Sequence, residues 1–166
     1  MRPAFLKERE FSLRIAFAIV LLIIVLDQLT KYLIETSLPY AQAQQVFPGF
    51  DLLRVYNTGA AFSFLGDAGG WQRWALAAIS FVVSVVLAVW LWRLPRRQFL
   101  LGLALSLILG GALGNLYDRV VLGHVIDFIS VYVSDWRFAT FNIADAAISI
   151  GAVLLVLDVI LGEGHD

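Results

Sequence analysis

Four stretches of this chain are apolar for long enough to form membrane-crossing helices, and short polar segments separate them. The first apolar run, 15–26, continues into Asp27-Gln28-Leu29-Thr30-Lys31 and predicts a helix over about 13–35. The second is uncharged over 74–92 and predicts a helix over about 73–93, stopped by Arg93-Leu94-Pro95-Arg96-Arg97. The third is uncharged over 98–117, and the fourth, a helix over about 138–160, is charged only at Asp145 through residue 157. Crossing a hydrocarbon core of roughly 30 Å takes about 20 helical residues, and each stretch suffices.

The polar segments carry a different pattern. Pro39, Pro48, Gly49, Gly59, Gly66 and Gly69-Gly70 punctuate the first of them. Within it, 50–56 and 60–65 read as short strands joined by Asn57-Thr58-Gly59. Two strands alone are marginal, so a β-rich segment over about 40–70 is expected to rest on the membrane surface. Its aromatics Phe47, Phe50, Tyr56, Phe62 and Phe64 suit the interface. The segment 118–137 is a polar return in which 125–133 is extended. The Arg-rich start resembles the head of a signal peptide, but no small-residue cleavage site follows, so the first helix is expected to be retained.

Composition turns this pattern into a fold class. The chain has 166 residues, 60% of them hydrophobic and 15% charged, with a mean hydropathy of +0.83. No soluble domain of this size hides so much apolar surface. The expectation is one integral membrane domain over 1–166, mainly α: a four-helix transmembrane bundle with a small β-sheet subdomain at its outer surface. Without cysteine there is no disulfide, iron–sulfur cluster, thiol nucleophile or cysteine–zinc site. His124 and His165 are the only histidines, too few for a histidine-rich metal centre, so neither metal nor cofactor is expected. No basic block points to nucleic acid.

Charge placement gives an orientation. With the N-terminus inside, Arg2, Lys7, Arg9, Arg14, Arg93, Arg96 and Arg97 lie on the inner side, against Lys31, Arg54, Arg73, Arg119 and Arg137 outside. The tight Arg93–Arg97 cluster favours both termini being cytoplasmic. Asp27, Asn57, Asn115, Arg119, Asp127, Asn142 and Asp145 then gather at the outer end of the bundle. Trp71, Trp74, Trp90 and Trp92 mark the two ends of the second span. His124 reads as a solvated loop residue, and Asp158 as facing headgroups or the cytoplasm.

A carboxylate inside an apolar span is expensive, so Asp127, just beyond one span, and Asp145, inside the next, stand out. Two acids sharing a proton have separated pKa values: one takes a proton from water while the other hydrogen-bonds a carbonyl. Asn142 and Asp145 are three apart and share a helical face; Asn115, Asp118 and Arg119 lie within one turn. Asp27 and Lys31, four apart, can satisfy each other. Spacing alone leaves two other classes open. A proton-coupled transporter would use Asp27 and Asp145 as relays, but it should hold its acids near the midplane and show internal repeats. A non-catalytic assembly subunit would use Gly110 and Gly114, a GxxxG pair, to pack helices and would tolerate loss of Asp127.

Five blocks resemble one family. They are Asp27-Gln28-Leu29-Thr30-Lys31; Asn57-Thr58-Gly59-Ala60-Ala61-Phe62; Gly110-Gly111-Ala112-Leu113-Gly114-Asn115-Leu116-Tyr117-Asp118-Arg119; Val125-Ile126-Asp127-Phe128; and Phe141-Asn142-Ile143-Ala144-Asp145. In order, size and layout the chain is similar to the bacterial prolipoprotein signal peptidases, the type II signal peptidases. That resemblance implies an aspartic endopeptidase of the bacterial inner membrane that cuts before the lipidated cysteine of a diacylglyceryl-modified prolipoprotein. It implies Asp127 and Asp145 as the catalytic pair. Asp27, Lys31, Asn57, Gly59, Asn115, Arg119 and Asn142 are implied as residues that support the pair or meet substrate. The implied partners are the prolipoprotein, membrane lipid and a globomycin-type inhibitor in the substrate position, with the chain sufficient as a monomer.

Overall fold

The structure is a computed structural model and describes residues 11–59, 70–134 and 136–161. In chain order its elements are α1 (Leu13–Ser37), β1 (Ala43–Phe47), β2 (Phe50–Asn57), α2 (Trp71–Arg93), α3 (Phe99–Val121), β3 (Val125–Val133), β4 (Trp136–Arg137) and α4 (Ile143–Leu161). All four helices are long and apolar enough to cross a membrane. The strands form one antiparallel sheet in the order β1-β2-β3-β4. The chain is thus a four-helix bundle with a sheet built from two separate connections.

The hub is α3. Of its most apolar stretch 61% is buried, against 11% for α1 and 22% for α2 and α4. Lipid tails are as apolar as leucine, so helices in a bilayer are drawn together by close packing and polar links instead of by leaving water. The sequence of α3 supplies both. A methyl group on Gly110 would lie 2.9 Å from Ile23 Cβ of α1, and one on Gly114 would lie 2.7 Å from the Asp27 carboxylate. The GxxxG pair therefore faces α1. On another face, a methyl on Gly111 would press into the Ala144 carbonyl of α4, and one on Gly151 of α4 would lie 2.8 Å from the Ala104 carbonyl. The outward faces carry exposed Phe17, Leu22 and Val25, Phe81, Val82 and Val86, and Val153 and Val156. The four tryptophans flanking α2 are exposed, as a belt requires.

This packing makes one prediction. Gly111→Ala forces the start of α4 away from α3, because the obstructing atom is backbone and cannot rotate aside. A loss of about 1–3 kcal/mol is expected, read as a lower unfolding temperature in detergent. A melting temperature equal to that of the native protein would refute the contact.

Element ends differ from the sequence pattern for identifiable reasons. α1 runs on to Ser37, and α2 begins at Trp71. α3 continues past 117 to Val121, because Arg73 donates to the carbonyls of Arg119 and Val120 and satisfies its C-terminal end. α4 starts at Ile143 instead of 138, since Phe138 and Phe141 pair with Val131 and Ile129 of β3. β2 and β3 stand where the sequence reading put extended chain, but β2 pairs with β1 and β3; the strand expected at 60–65 lies outside the described residues. Asp158, expected to face headgroups, is buried. His124, expected in solvent, is half-buried and stacks on Tyr56 with ring centroids 4.1 Å apart.

Candidate active site

The sheet and the bundle meet where α1, α3, β3 and the start of α4 converge. Asn142 precedes α4, and its Oδ1 accepts from the Asp145 amide at 2.9 Å, while the Asn142 amide donates to Asp145 Oδ2 at 3.2 Å. This is a reciprocal capping box, with aspartate in the place of the usual glutamate. Asp27 Oδ1 accepts from the Ala144 amide at 3.0 Å, and so α1 also caps α4. The sequence reading placed Asn142 and Asp145 on one helical face; the structure brings them together through the cap instead.

Asp127 comes from β3. Beyond a bulge between Leu52 and Val55, Val55 opposes Asp127 and Asn57 opposes Val125. Asn57 and Asp127 are therefore diagonal neighbours on one face. Without the extra residue Asp127 would oppose Arg54, and Asn57 would point to the other side. The bulge thus lets Asn57 Nδ2 donate to Asp127 Oδ2 at 3.1 Å.

The two aspartates belong to one hydrogen-bonded network. Asn142 Nδ2 donates to Asp127 Oδ1 at 2.7 Å, and Asn115 Nδ2 donates to Asp145 Oδ1 at 2.8 Å. Every oxygen of the two carboxyl groups thus accepts an N–H. Asn115 Oδ1 accepts from Lys31 Nζ at 3.1 Å and from Asn142 Nδ2 at 3.3 Å. Arg119 donates to the carbonyls of Asn115 and Gly59, both at 3.3 Å, and the Gly59 amide donates to Asn57 Oδ1 at 3.0 Å. All nine residues singled out in the sequence (Asp27, Lys31, Asn57, Gly59, Asn115, Arg119, Asp127, Asn142 and Asp145) are joined in this single web.

Two members escaped the sequence reading. Lys31 Nζ meets not only Asp27 Oδ2 at 2.7 Å but also Asp118 Oδ2 at 2.7 Å. Gln28 Nε2 bridges the two acids, at 3.1 Å from Asp27 and 2.9 Å from Asp118. Asp118 carried a weak signal, one turn beyond Asn115 on the same helix; Gln28 carried none beyond its place in the first block.

Burial of Asp127, together with the nearby Asp145 charge, raises its pKa from the ordinary 3.8 to about 6, although hydrogen bonds from Asn57 and Asn142 oppose the rise. Asp127 is buried and Asp145 partly so, and both line a cavity of about 510 Å³. Asn57, Asn115 and Arg119 share its wall with apolar Phe138, Phe141 and Ile148. A second cavity of about 550 Å³ runs from Asp127 and Asn57 towards Trp136 and Tyr56. Among the described residues, no three His, Asp or Glu side chains converge as metal ligands would.

Fold and site together define a multi-pass membrane protein with a partly buried pair of acids at one end of its bundle. The family profile described as Signal peptidase (SPase) II matches residues 19–161. A lipoprotein signal peptidase of Ectopseudomonas mendocina (strain ymp) is 62% identical over 139 residues, 82% of each chain. One of Pseudomonas aeruginosa (strain UCBPP-PA14) is 55% identical over 142 residues, 84% of each chain. A bacterial membrane enzyme solved by the in meso method superimposes with a TM-score of 0.82 at 28% identity, covering 92% of this chain and 91% of that one. The chain belongs to the signal peptidase II family.

Proposed function

We propose that the protein is an aspartic endopeptidase that removes the signal peptide of diacylglyceryl-modified prolipoproteins, cutting before the lipidated cysteine, with Asp127 and Asp145 activating water. Its relatives' name, lipoprotein signal peptidase, supplies the substrate class. The observation that carries the mechanism is the pair itself: two carboxyl groups linked through Asn142 and opening on one cavity.

In this reading a water sits between the two acids. The other acid, Asp145, takes its proton as the oxygen attacks the scissile carbonyl. Asp127, the member of the pair that holds a proton more tightly, hydrogen-bonds the carbonyl oxygen as it gains charge. The tetrahedral intermediate then collapses as a proton passes to the leaving nitrogen and the C–N bond breaks. Arg119 and the Gly59 carbonyl beside it hold the peptide backbone across the opening. The apolar wall of Phe138, Phe141 and Ile148 receives acyl chain or signal helix. We place the site at the outer, periplasmic end of the bundle with both termini in the cytoplasm, on the strength of the Arg93–Arg97 cluster.

The test uses purified protein, a diacylglyceryl-modified prolipoprotein, and the mass of the released peptide. Release ending just before the cysteine, with or without chelator, is the expected result; cleavage elsewhere or none overturns the reading. The pH profile follows from Asp127. It must be protonated to donate to the carbonyl oxygen, so kcat/KM should fall roughly tenfold per unit as pH rises above about 6. The same raised pKa means the folded state holds this proton more tightly than the unfolded chain. Its contribution to stability is complete below 3.8 and lost as pH rises through about 6. An activity profile flat across that range would remove Asp127 as the proton-donating acid.

A further inference from the structure

The structure assigns Asp118 a role the two-acid reading leaves unused: we propose that it is a positioning residue, acting through Lys31 and Asn115 on Asp145. The inference rests on the proposed function above. Asp118 is fully buried on α3, facing away from the cavity, and touches neither candidate catalytic acid through any hydrogen bond described. Its Oδ2 lies 2.7 Å from Lys31 Nζ, and its Oδ1 accepts from Gln28.

The argument turns on what an ammonium can and cannot do. Lys31 is 2% exposed and has three neighbours: Asp27 Oδ2, Asp118 Oδ2 and Asn115 Oδ1. Two of its N–H donors are taken by hydrogen bonds to Asp27 Oδ2 and Asn115 Oδ1. The Asp118 carboxylate lies against the ammonium as an ion pair, so an ammonium, which has no acceptor, meets only oxygens here. The atom of Asn115 that faces it must be the carbonyl oxygen. The Asn115 NH2 must then point the other way, where it donates to Asp145 Oδ1 at 2.8 Å. An asparagine alone is free to present either end; this one is oriented by Lys31 together with Asn142 Nδ2, which donates to the same oxygen. The two carboxylates on the far side keep Nζ aimed. With Asp118 gone, that ion pair is lost, and Nζ is free to swing towards Asp27 and away from Asn115. A displacement of about 1 Å relayed to a reacting group costs on the order of 100-fold in rate.

The experiment is a double-mutant cycle read in kcat and KM on the prolipoprotein. Asp118→Leu should lower kcat about 10- to 100-fold with KM within roughly twofold. Asp118→Asn, which keeps an acceptor for Lys31, should recover most of that loss. In an Asn115→Ala background, Asp118→Leu should cost nothing further. An unchanged kcat in Asp118→Leu overturns the inference, and so does an equal loss in both backgrounds, the mark of a merely structural residue. Should Asp118→Leu fail to fold, Asp118→Glu takes its place in the same cycle with the same two outcomes. Cleavage surviving in Asp127→Asn would instead remove the two-acid mechanism, so the two failures are distinguishable.

Discussion

Replacing Asp127 or Asp145 with asparagine is expected to lower prolipoprotein cleavage by about 10²–10⁴-fold or more, while the protein stays folded in the membrane. The substitution keeps shape and removes the ionisable carboxyl group that accepts or donates the proton. Each carboxyl group accepts two N–H donors: Asn142 Nδ2 and Asn57 Nδ2 at Asp127, Asn115 Nδ2 and the Asn142 amide at Asp145. An asparagine offers one oxygen, so one donor at each site meets an NH2 group, at a cost of about 1–3 kcal/mol. That leaves a folded but silent protein. Asn142→Ala should lower activity less than either, because it removes links between the acids and leaves both acids in place. Initial rates on one prolipoprotein, normalised to folded protein by gel filtration, decide the order. Equal activity in all three variants would dispose of the paired-acid mechanism.

Loss of Lys31 should be felt in the fold itself. Lys31→Met leaves Asp27 and Asp118, both 0% exposed, facing each other without a cation. Removing one partner of a buried ion cluster costs about 3–5 kcal/mol, since a charge remains without compensation. The expected result is a large drop in unfolding temperature and in the yield of folded protein from detergent extracts. Lys31→Arg should not restore it, as a planar guanidinium does not fit three acceptors arranged around a point charge. The triple variant Asp27→Asn, Lys31→Met, Asp118→Asn should recover stability, because neutral groups can be buried without the charge, yet it should not recover activity. A stable Lys31→Met single variant would show that the cluster is not what holds these helices.

The sequence showed the four spans through their length and lack of charge, and Val125–Val133 as an extended piece of the polar return. It hid β1, because Ala43–Phe47 is exposed along its whole length and exists by pairing with β2. The start of α4 was misjudged for the opposite reason: Phe138 and Phe141 look like span residues, yet their backbone groups are taken by β3. The candidate site residues were legible as types expected together at one end of the bundle. Their wiring was not, for it depends on a β-bulge that sets the face of Asn57 and on a helix crossing that brings Lys31 to Asp118. Neither leaves a local trace in the residues it positions.

α3 is also a ruler. From Phe99, just past the arginine-rich turn, to Asp118 in the ion cluster, the helix rises roughly 29 Å at 1.5 Å per residue. That is about the thickness of the hydrocarbon core. On the proposed orientation, with the arginines before α3 among headgroups, its other end would bring Asn115 and Asp118 to the opposite lipid–water boundary. Depth, and with it access to water, is set by the number of residues between two polar marks. Inserting a full turn in the apolar part of α3 would carry Asn115 and Arg119 some 5.4 Å out of register with Asp27 and Asp145, and leave the acids without the partners that orient them.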